Sequence, residues 1–226
     1  MKSPLIVNGI DLEKEGVKII SLPPFQLSTK RVNDIDIQGR DGTLTEYDGY
    51  TSDSKTVEAD YKGNNQVKLL NILESSNEVI FGNIPDRYYK CRLDNQIPLS
   101  QIIENQLYNF LIVFKCQPFG YLLSGKNIIE LVQQIPIDNP GTYKSLPLIT
   151  VYGTGACTLI VNGTSYPITN IYGAISLDSD IEEVLNNKGE YFESDYFPEL
   201  QVGENIISWI GSGVTKVEIT PRWRCL

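Results

Sequence analysis

Four carboxylates that lie close together, Asp178, Asp180, Glu182 and Glu183, are the residues of this sequence best suited to chemistry. Oxygen ligands at such spacing suit a calcium ion. The segment does not match the twelve-residue calcium-loop pattern, and a solvated acidic loop is the alternative. We therefore predict no metal site and no cofactor.

The chain contains no histidine. This excludes Ser-His-Asp triads, Cys-His pairs and imidazole ligands for metals. The four cysteines, Cys91, Cys116, Cys157 and Cys225, are far apart and form no C-x-x-C pair. That pattern favours reduced cysteines, some of them buried in strands, over a disulfide or a zinc site. We predict that the protein is not an enzyme, and we assign no catalytic residue.

Two further features could suggest ligand binding. Tyr191, Tyr196 and the nearby phenylalanines could stack on sugar rings, and packing into a core is the alternative. The segment Gly39-Arg40-Asp41-Gly42 could suggest a phosphate loop, but it lacks the lysine and the long helix that such a loop needs. We instead predict a tight hairpin turn there, with Asp41-Gly42 as a type I′ turn. Arg40 is then free to bind a backbone carbonyl or a carboxylate, in its own subunit or in another.

The charge balance argues against nucleic acid as the main ligand. The 226 residues include 19 basic and 28 acidic ones, giving a net charge of −9, whereas phosphate backbones require clustered positive charge. The acidity is concentrated after residue 135, with 11 acidic against 5 basic residues. The N-terminus has no long apolar segment and Phe110–Phe114 is too short to span a bilayer. We expect the protein to be made and folded in the cytoplasm.

Short alternating strands dominate the chain, and their recurrence every 8–12 or so residues after residue 140 is typical of a sandwich or barrel. Asn8-Gly9 and Asn162-Gly163 predict further tight turns. One helix is predicted over Gln66–Glu74, capped by Asn64 or Asn65, with Val67, Leu70, Ile72 and Leu73 near one face. A second helical turn is predicted at residues 181–185. The boundary between two domains falls near residues 134–140, so we predict domains of 1–135 and 136–226.

The C-terminal residues Pro221, Arg222, Trp223 and Arg224 predict a final strand that stops at the proline. Alternation along the chain would direct Trp223 to the core and both arginines outward, towards the acidic half of the protein. The alternative is a last strand with solvated ends.

An ordered series of segments resembles the distal tail protein (Dit) family of long-tailed bacteriophages of Gram-positive hosts, a family also found in prophages and tail-like particles. The resemblance covers about residue 5 to residue 226. Its segments, in chain order, are Ile37–Leu44 before the short helix, Ile80–Lys90, Val113–Tyr121, Asn139–Thr142 with Pro147, Phe197–Leu200, Gly203–Asn205 and Pro221–Arg224.

This resemblance implies a fold and an assembly. The fold is mostly β, with an N-terminal sandwich-like or barrel-like domain that carries one short helix and a hairpin extension, followed by a galectin-like β-sandwich. The assembly is a homo-hexameric ring of N-terminal domains in the virion's tail tip. It joins the tail tube protein to the tail-associated lysin (Tal) or baseplate proteins, and in some cases to receptor-binding proteins. Phage DNA leaves through the bore of the ring without specific binding.

The alternative function is carbohydrate binding, in which the C-terminal sandwich attaches to host cell-wall polysaccharide. A galectin sugar site uses a histidine-bearing polar set, and this chain has no histidine, so only a different sugar site could remain. We predict that two structural motifs are possible interfaces, the first formed by Gly39, Arg40, Asp41 and Gly42 and the second by Pro221, Arg222, Trp223 and Arg224.

Overall fold

The computed structural model of the chain describes residues 4–103, 107–186 and 188–226. The chain forms two compact units, residues 1–120 with Leu226 and residues 121–225. The predicted boundary after residue 135 therefore lies inside the second unit. Residues before it join that unit because the strand Ile129–Leu131 pairs with the strand Val214–Thr220.

The first unit is built on one antiparallel sheet, a separate hairpin and a helix. Its strands are β1 (Leu5–Val7), β2 (Ile10–Asp11), β3 (Val17–Ser21), β4 (Lys30–Asp36), β5 (Thr43–Tyr50), β6 (Asp53–Tyr61), β7 (Glu78–Phe81), β8 (Arg87–Leu93), β9 (Ser100–Ile103) and β10 (Leu107–Leu122), with helix α1 (Gln66–Glu74) between β6 and β7. The main sheet has the order β2-β1-β7-β8-β10-β6-β3, and β9 pairs with β10. Strands β4 and β5 pair only with each other.

The structure confirms that helix α1 spans Gln66–Glu74 and is capped by Asn65. The side chain of Asn65 accepts a hydrogen bond from the Lys68 amide, which satisfies one of the free N–H groups of the first turn. The buried stripe differs from the prediction. Leu69, Ile72 and Leu73 pack into the core, whereas Val67 is 68% exposed. One side of the helix is therefore available to a partner.

The second unit is a sandwich of two antiparallel sheets. Its strands are β11 (Ile129–Leu131), β12 (Ile135–Asn139), β13 (Leu148–Gly153), β14 (Cys157–Val161), β15 (Thr164–Ile168), β16 (Gly173–Asp178), β17 (Glu183–Val184), β18 (Gly203–Ile210), β19 (Val214–Thr220) and β20 (Arg224–Cys225). The sheet β11-β19-β13-β16-β17 and the sheet β12-β18-β14-β15 contribute alternate residues to one apolar core. A mostly β, two-unit fold is therefore confirmed.

Two predicted tight turns are confirmed, and one predicted helical turn is not. Asn8-Gly9 and Asn162-Gly163 both have positive φ at each residue and connect directly paired strands, as type I′ turns require. The prediction of a helical turn at residues 181–185 was wrong. Glu182 has φ 53°, and Val184 pairs with Leu177 as part of β17. Pairing at the sheet edge prevails there over the local helical pattern.

Candidate assembly interface

The hairpin formed by β4, β5 and their connection, residues 30–50, is the most exposed element of the first unit and is called the arm below. Every residue from Lys30 to Gly49 is exposed. Val32 lies opposite Tyr47 on one face, and Ile35 lies opposite Leu44 on the other. Tyr47 is 70% exposed and Val32 is 53% exposed. Both faces of the arm therefore present apolar side chains to solvent.

The base of the arm is fixed to its own unit. Ser28 donates a hydrogen bond to the Pro118 carbonyl at 2.6 Å, and Thr51 N–H donates to the Thr29 carbonyl at 2.9 Å. The rings of Tyr50 and Phe119 meet edge to face with centroids 5.7 Å apart. A two-stranded hairpin alone is marginally stable in water. The anchored base thus holds an element whose apolar residues have no cover within the described part of the chain.

The prediction of a type I′ turn at the tip of the arm was wrong. A type I′ turn needs positive φ at both central residues, but Asp41 does not have it, whereas Gly39 and Gly42 do, at 83° and 78°. The connection covers residues 37–42, because the last paired residues are Asp36 and Thr43. The Arg40 and Asp41 side chains are exposed and make no ion pair within residues 4–103, 107–186 and 188–226. This loop is free for intermolecular contact.

The C-terminal motif has a different character, because it is part of the sandwich. Strand β19 ends at Thr220, directly before Pro221, as predicted. Trp223 is 4% exposed and belongs to the apolar core, also as predicted. Its carbonyl accepts a hydrogen bond from Leu122 N–H at 3.0 Å, and Arg222 N–H donates to the Gly125 carbonyl at 3.0 Å. A Cβ at Gly125 would lie 2.5 Å from the Trp223 nitrogen, so only glycine fits.

The two arginines beside Trp223 do not both point to solvent. Arg224 is only 7% exposed. Its Nε donates to the Lys144 carbonyl at 2.7 Å, and its guanidinium lies 5.4 Å from the centre of the Tyr143 ring. The outward prediction for Arg224 was therefore wrong, because these contacts hold the side chain within the sandwich. The Arg224 guanidinium therefore makes contacts inside the sandwich and is not exposed to solvent.

Arg222 connects the C-terminal motif to the acidic cluster. It has φ 52° and donates two hydrogen bonds to the Asp178 carboxylate, at 2.6 and 2.9 Å. Burial alone would raise the pKa of Asp178. The hydrogen bonds from Arg222 and from the Asp180 backbone amide outweigh burial and hold the pKa below its ordinary value. The bidentate pair links the end of β16 to the segment after β19.

This pair predicts a pH-dependent contribution to stability. A carboxylate whose folded pKa is lowered stabilises the fold above its unfolded pKa of about 4, and the contribution is lost as the pH falls through the folded pKa. We expect Asp178→Asn to lower the free energy of unfolding by about 1–3 kcal/mol at pH 7, with the deficit shrinking below pH about 4. Denaturant titrations at several pH values measure this. Asp195→Asn, at an exposed carboxyl, is the control. A deficit that is constant down to pH 2 contradicts the assignment.

Within the acidic cluster, the Asp178 carboxylate has a structural role. Asp178 pairs with Arg222 and also accepts a hydrogen bond from Asp180 N–H at 3.0 Å. Within the described residues, no group of three or more Cys, Asp or Glu side chains is arranged to hold a metal ion. None of the described helices is both long enough and apolar enough to cross a membrane. The exposed apolar side chains of the arm and of α1, such as Tyr47 and Val67, are candidate contact surfaces.

Comparison with known proteins supports the fold at low sequence identity. No protein-family model matches the sequence, and no curated protein matches it either. Among solved structures, the Dit protein of phage SPP1, described as a paradigm of the hub adsorption apparatus in Gram-positive infecting phages, aligns with a TM-score of 0.70 at 13% identity, covering 96% of this chain and 97% of that one. A chain of the phage P2 baseplate in its activated conformation aligns with a TM-score of 0.51 at 9% identity, covering 93% and 91%.

These alignments cover more than nine tenths of this chain and of each partner, and so extend over both units. At such low identity they establish the path of the backbone rather than a shared activity. The chain therefore has the mostly β, two-unit fold of the phage SPP1 Dit protein, the fold of the family that its sequence resembles.

Proposed function

We propose that this protein is the hub of a phage tail tip or baseplate and that it assembles as a homo-hexameric ring. The observation that carries the proposal is the fold match to the SPP1 Dit hub protein over nearly the whole of both chains. In this proposal the predicted ring-forming domain corresponds to the first unit, residues 1–120, and the predicted galectin-like domain corresponds to the sandwich of the second unit, residues 121–225. The protein then acts as a virion component without catalysis.

The arm is the proposed contact between neighbouring subunits, and its occupant is a second copy of this chain. Its two faces carry exposed apolar side chains, while Ser28 and Tyr50 anchor its base to Pro118 and Phe119. Val32 is 53% exposed and Leu44 is 40% exposed, so burying their remaining surface in a neighbour contributes about 1 kcal/mol each. The exposed Gly39–Gly42 loop would extend that contact at the arm's tip. Residues 221–224 belong to the sandwich core in this proposal and not to the interface.

The acidic composition supports passage of DNA through the ring. A bore lined by carboxylates repels phosphate and lets the duplex slide, whereas a basic bore would retain it. Residues 1–135 contain 17 acidic and 14 basic residues, and their net charge of −3 has the sign that this requires. The ring would stack on the tail tube protein on one side and on Tal or baseplate proteins on the other, with receptor-binding proteins as further partners. Synthesis in the host cytoplasm precedes this assembly.

Light scattering after size exclusion, with negative-stain images of the same peak, tests the proposal. The expected particle has about six times the mass of the 25.4 kDa chain and an open centre. If the free protein is monomeric, the tail tube protein and Tal are added and the measurement is repeated. A chain that stays monomeric with both neighbours present overturns the hub assignment.

Carbohydrate binding remains a second candidate because of one cavity in the sandwich. It has a volume of about 660 Å³ and is lined in part by Tyr166, Asp195, Tyr196 and Gln201. Tyr196 is 77% exposed and can offer a ring face to a sugar. We expect cell-wall polysaccharide to retain the full-length protein in a pull-down if this function holds, and Tyr196→Ala to release it. Equal retention of the variant, or none of the wild type, excludes this cavity as the site.

A further inference from the structure

Two of the four cysteines lie directly opposite each other on neighbouring strands. Strands β8 and β10 are adjacent in the main sheet. Asp94 N–H donates to the Val113 carbonyl at 2.8 Å, and a Cβ on Gly120 would lie 2.7 Å from Cδ of Arg87. Both contacts give the same antiparallel register, in which each step forward on β8 matches a step back on β10. That register places Cys91 opposite Cys116.

The register also fixes the kind of pair that the two cysteines form. In an antiparallel pair of strands, hydrogen-bonded and non-hydrogen-bonded residue pairs alternate. Asp94 and Val113 form a hydrogen-bonded pair. Cys91 and Cys116 lie three residues away on each strand and therefore form a non-hydrogen-bonded pair. Cα atoms in such pairs are about 4.5 Å apart and their side chains approach most closely. Disulfides form at Cα separations of about 4.4–6.8 Å. A non-hydrogen-bonded pair of this kind therefore has a Cα separation at which a disulfide can form.

The two thiols interact in the reduced protein. Cys116 is buried in the core of the first unit and Cys91 packs against the same core. The interaction between the two neighbouring thiols lowers the pKa of Cys91 and raises that of Cys116. These directions favour the thiolate at Cys91 and the protonated thiol at Cys116.

Cys91 is also the accessible member of the pair. It lines a cavity of about 570 Å³ whose other lining residues include Lys90, Arg92 and Lys115. The hydroxyl of Ser76 is buried and has no hydrogen-bond partner of standard geometry within the described residues, yet it lies close enough to lower the pKa of Cys91. A hydroxyl so placed can donate to an oxygen added to the Cys91 sulfur.

We propose that Cys91 and Cys116 form a peroxide-responsive dithiol pair that closes to an intramolecular disulfide. The Cys91 thiolate attacks hydrogen peroxide, its sulfur gains one oxygen, and hydroxide leaves and takes up a proton as water. The Cys116 sulfur then attacks the Cys91 sulfenic acid. The S–S bond forms, the S–O bond breaks, and the hydroxide leaves with the Cys116 proton as a second water. The two thiols are oxidised by two electrons and the peroxide is reduced by two.

The remaining two cysteines provide an internal contrast. Cys157 and Cys225 are both buried in the second unit. Burial raises the pKa of Cys157 to about 11, so its thiolate is scarce at neutral pH. Oxidation should therefore stop at one disulfide per chain and leave these two thiols intact.

The test uses the full chain, reduced and then treated with a small excess of hydrogen peroxide. Thiols are counted by alkylation after unfolding, and the intact mass is measured. We expect the free thiols to fall from four to two, the unalkylated mass to fall by two hydrogens, and peptide mapping to join Cys91 to Cys116. A Cys157→Ser/Cys225→Ser variant should form the same bond.

Single variants distinguish the two roles. Cys116→Ala should leave Cys91 as a sulfenic acid that dimedone traps, whereas Cys91→Ala should leave Cys116 unmodified at the same peroxide dose. Circular dichroism shows whether each variant is folded. The thiol count of the wild type tests the proposal even if a variant does not fold. Four free thiols after peroxide treatment, a bond to another cysteine, or a disulfide only between chains overturns the proposal.

Discussion

Replacing Trp223 by alanine lowers the free energy of unfolding of the C-terminal unit by about 3–5 kcal/mol. The indole is 4% exposed and packs in the core shared by the two sheets of the sandwich. Its removal loses apolar contacts and leaves a cavity that the neighbouring backbone cannot fill, because Leu122 and Gly125 hold the segment on both sides by hydrogen bonds. Such a loss is a large share of the stability of an ordinary domain, about 5–15 kcal/mol.

Denaturant titration followed by tryptophan fluorescence measures this effect. The chain has two tryptophans, and both lie in the C-terminal unit, so Trp209 still reports on that unit in the variant. Tyr196→Ala is the matched control, because it removes an aromatic ring that is 77% exposed, and should change stability by no more than about 0.5 kcal/mol. Equal losses in the two variants would show that Trp223 does not contribute to the core as described.

The parts of the fold that were predicted correctly are determined by residues that are neighbours in the sequence. Asn8-Gly9 and Asn162-Gly163 form the predicted turns because their positive φ angles are cheap for these residue types wherever two strands pair directly. Helix α1 begins at its predicted cap because Asn65 can reach the Lys68 amide without help from elsewhere. Local rules sufficed for these elements.

The predictions that failed depend on residues distant in sequence. Asp41-Gly42 carries the same turn signal as Asn8-Gly9, but the pairing of β4 with β5 stops at Asp36 and leaves a longer loop. Arg224 is buried because the Lys144 carbonyl and the Tyr143 ring lie beside it. Nothing near Arg224 in the sequence indicates those partners. Alternation along a strand therefore gave the right answer for Trp223 and the wrong one for Arg224.

The candidate interface was predicted only in outline. The resemblance implied a hairpin extension, whereas the distribution of apolar side chains on both faces of the arm became visible only with the register that pairs Val32 with Tyr47 and Ile35 with Leu44. The pairing of Arg222 with Asp178 was missed, since the two residues belong to motifs that were interpreted separately. The excess of acids after residue 135 was the one signal that favoured such a pair.

A Leu44→Asp/Tyr47→Asp double variant is expected to convert the proposed ring into monomers. The two side chains lie on opposite faces of the arm, so the variant places a charge in each apolar contact with the neighbouring subunit. Leu44 is 40% exposed and Tyr47 is 70% exposed in the single chain, so loss of their burial at the contact costs about 2–3 kcal/mol, a weakening of roughly 30-fold to 100-fold. The two unpaired carboxylates add a desolvation cost to this loss. Light scattering should show the mass of a single 25.4 kDa chain. Where the wild type needs its tail neighbours to assemble, the same comparison is made with them present.

Because both side chains are exposed in the single chain, the variant should fold normally, with an unchanged circular dichroism spectrum and thermal transition. Ile206→Asp/Ile210→Asp is the matched control, since it makes the same kind of change at two exposed positions of β18 in the C-terminal unit. This control should still form rings if the contact lies in the arm. Rings from the arm variant and monomers from the control would instead assign the subunit contact to the sandwich, while rings from both would leave the arm without a role in assembly.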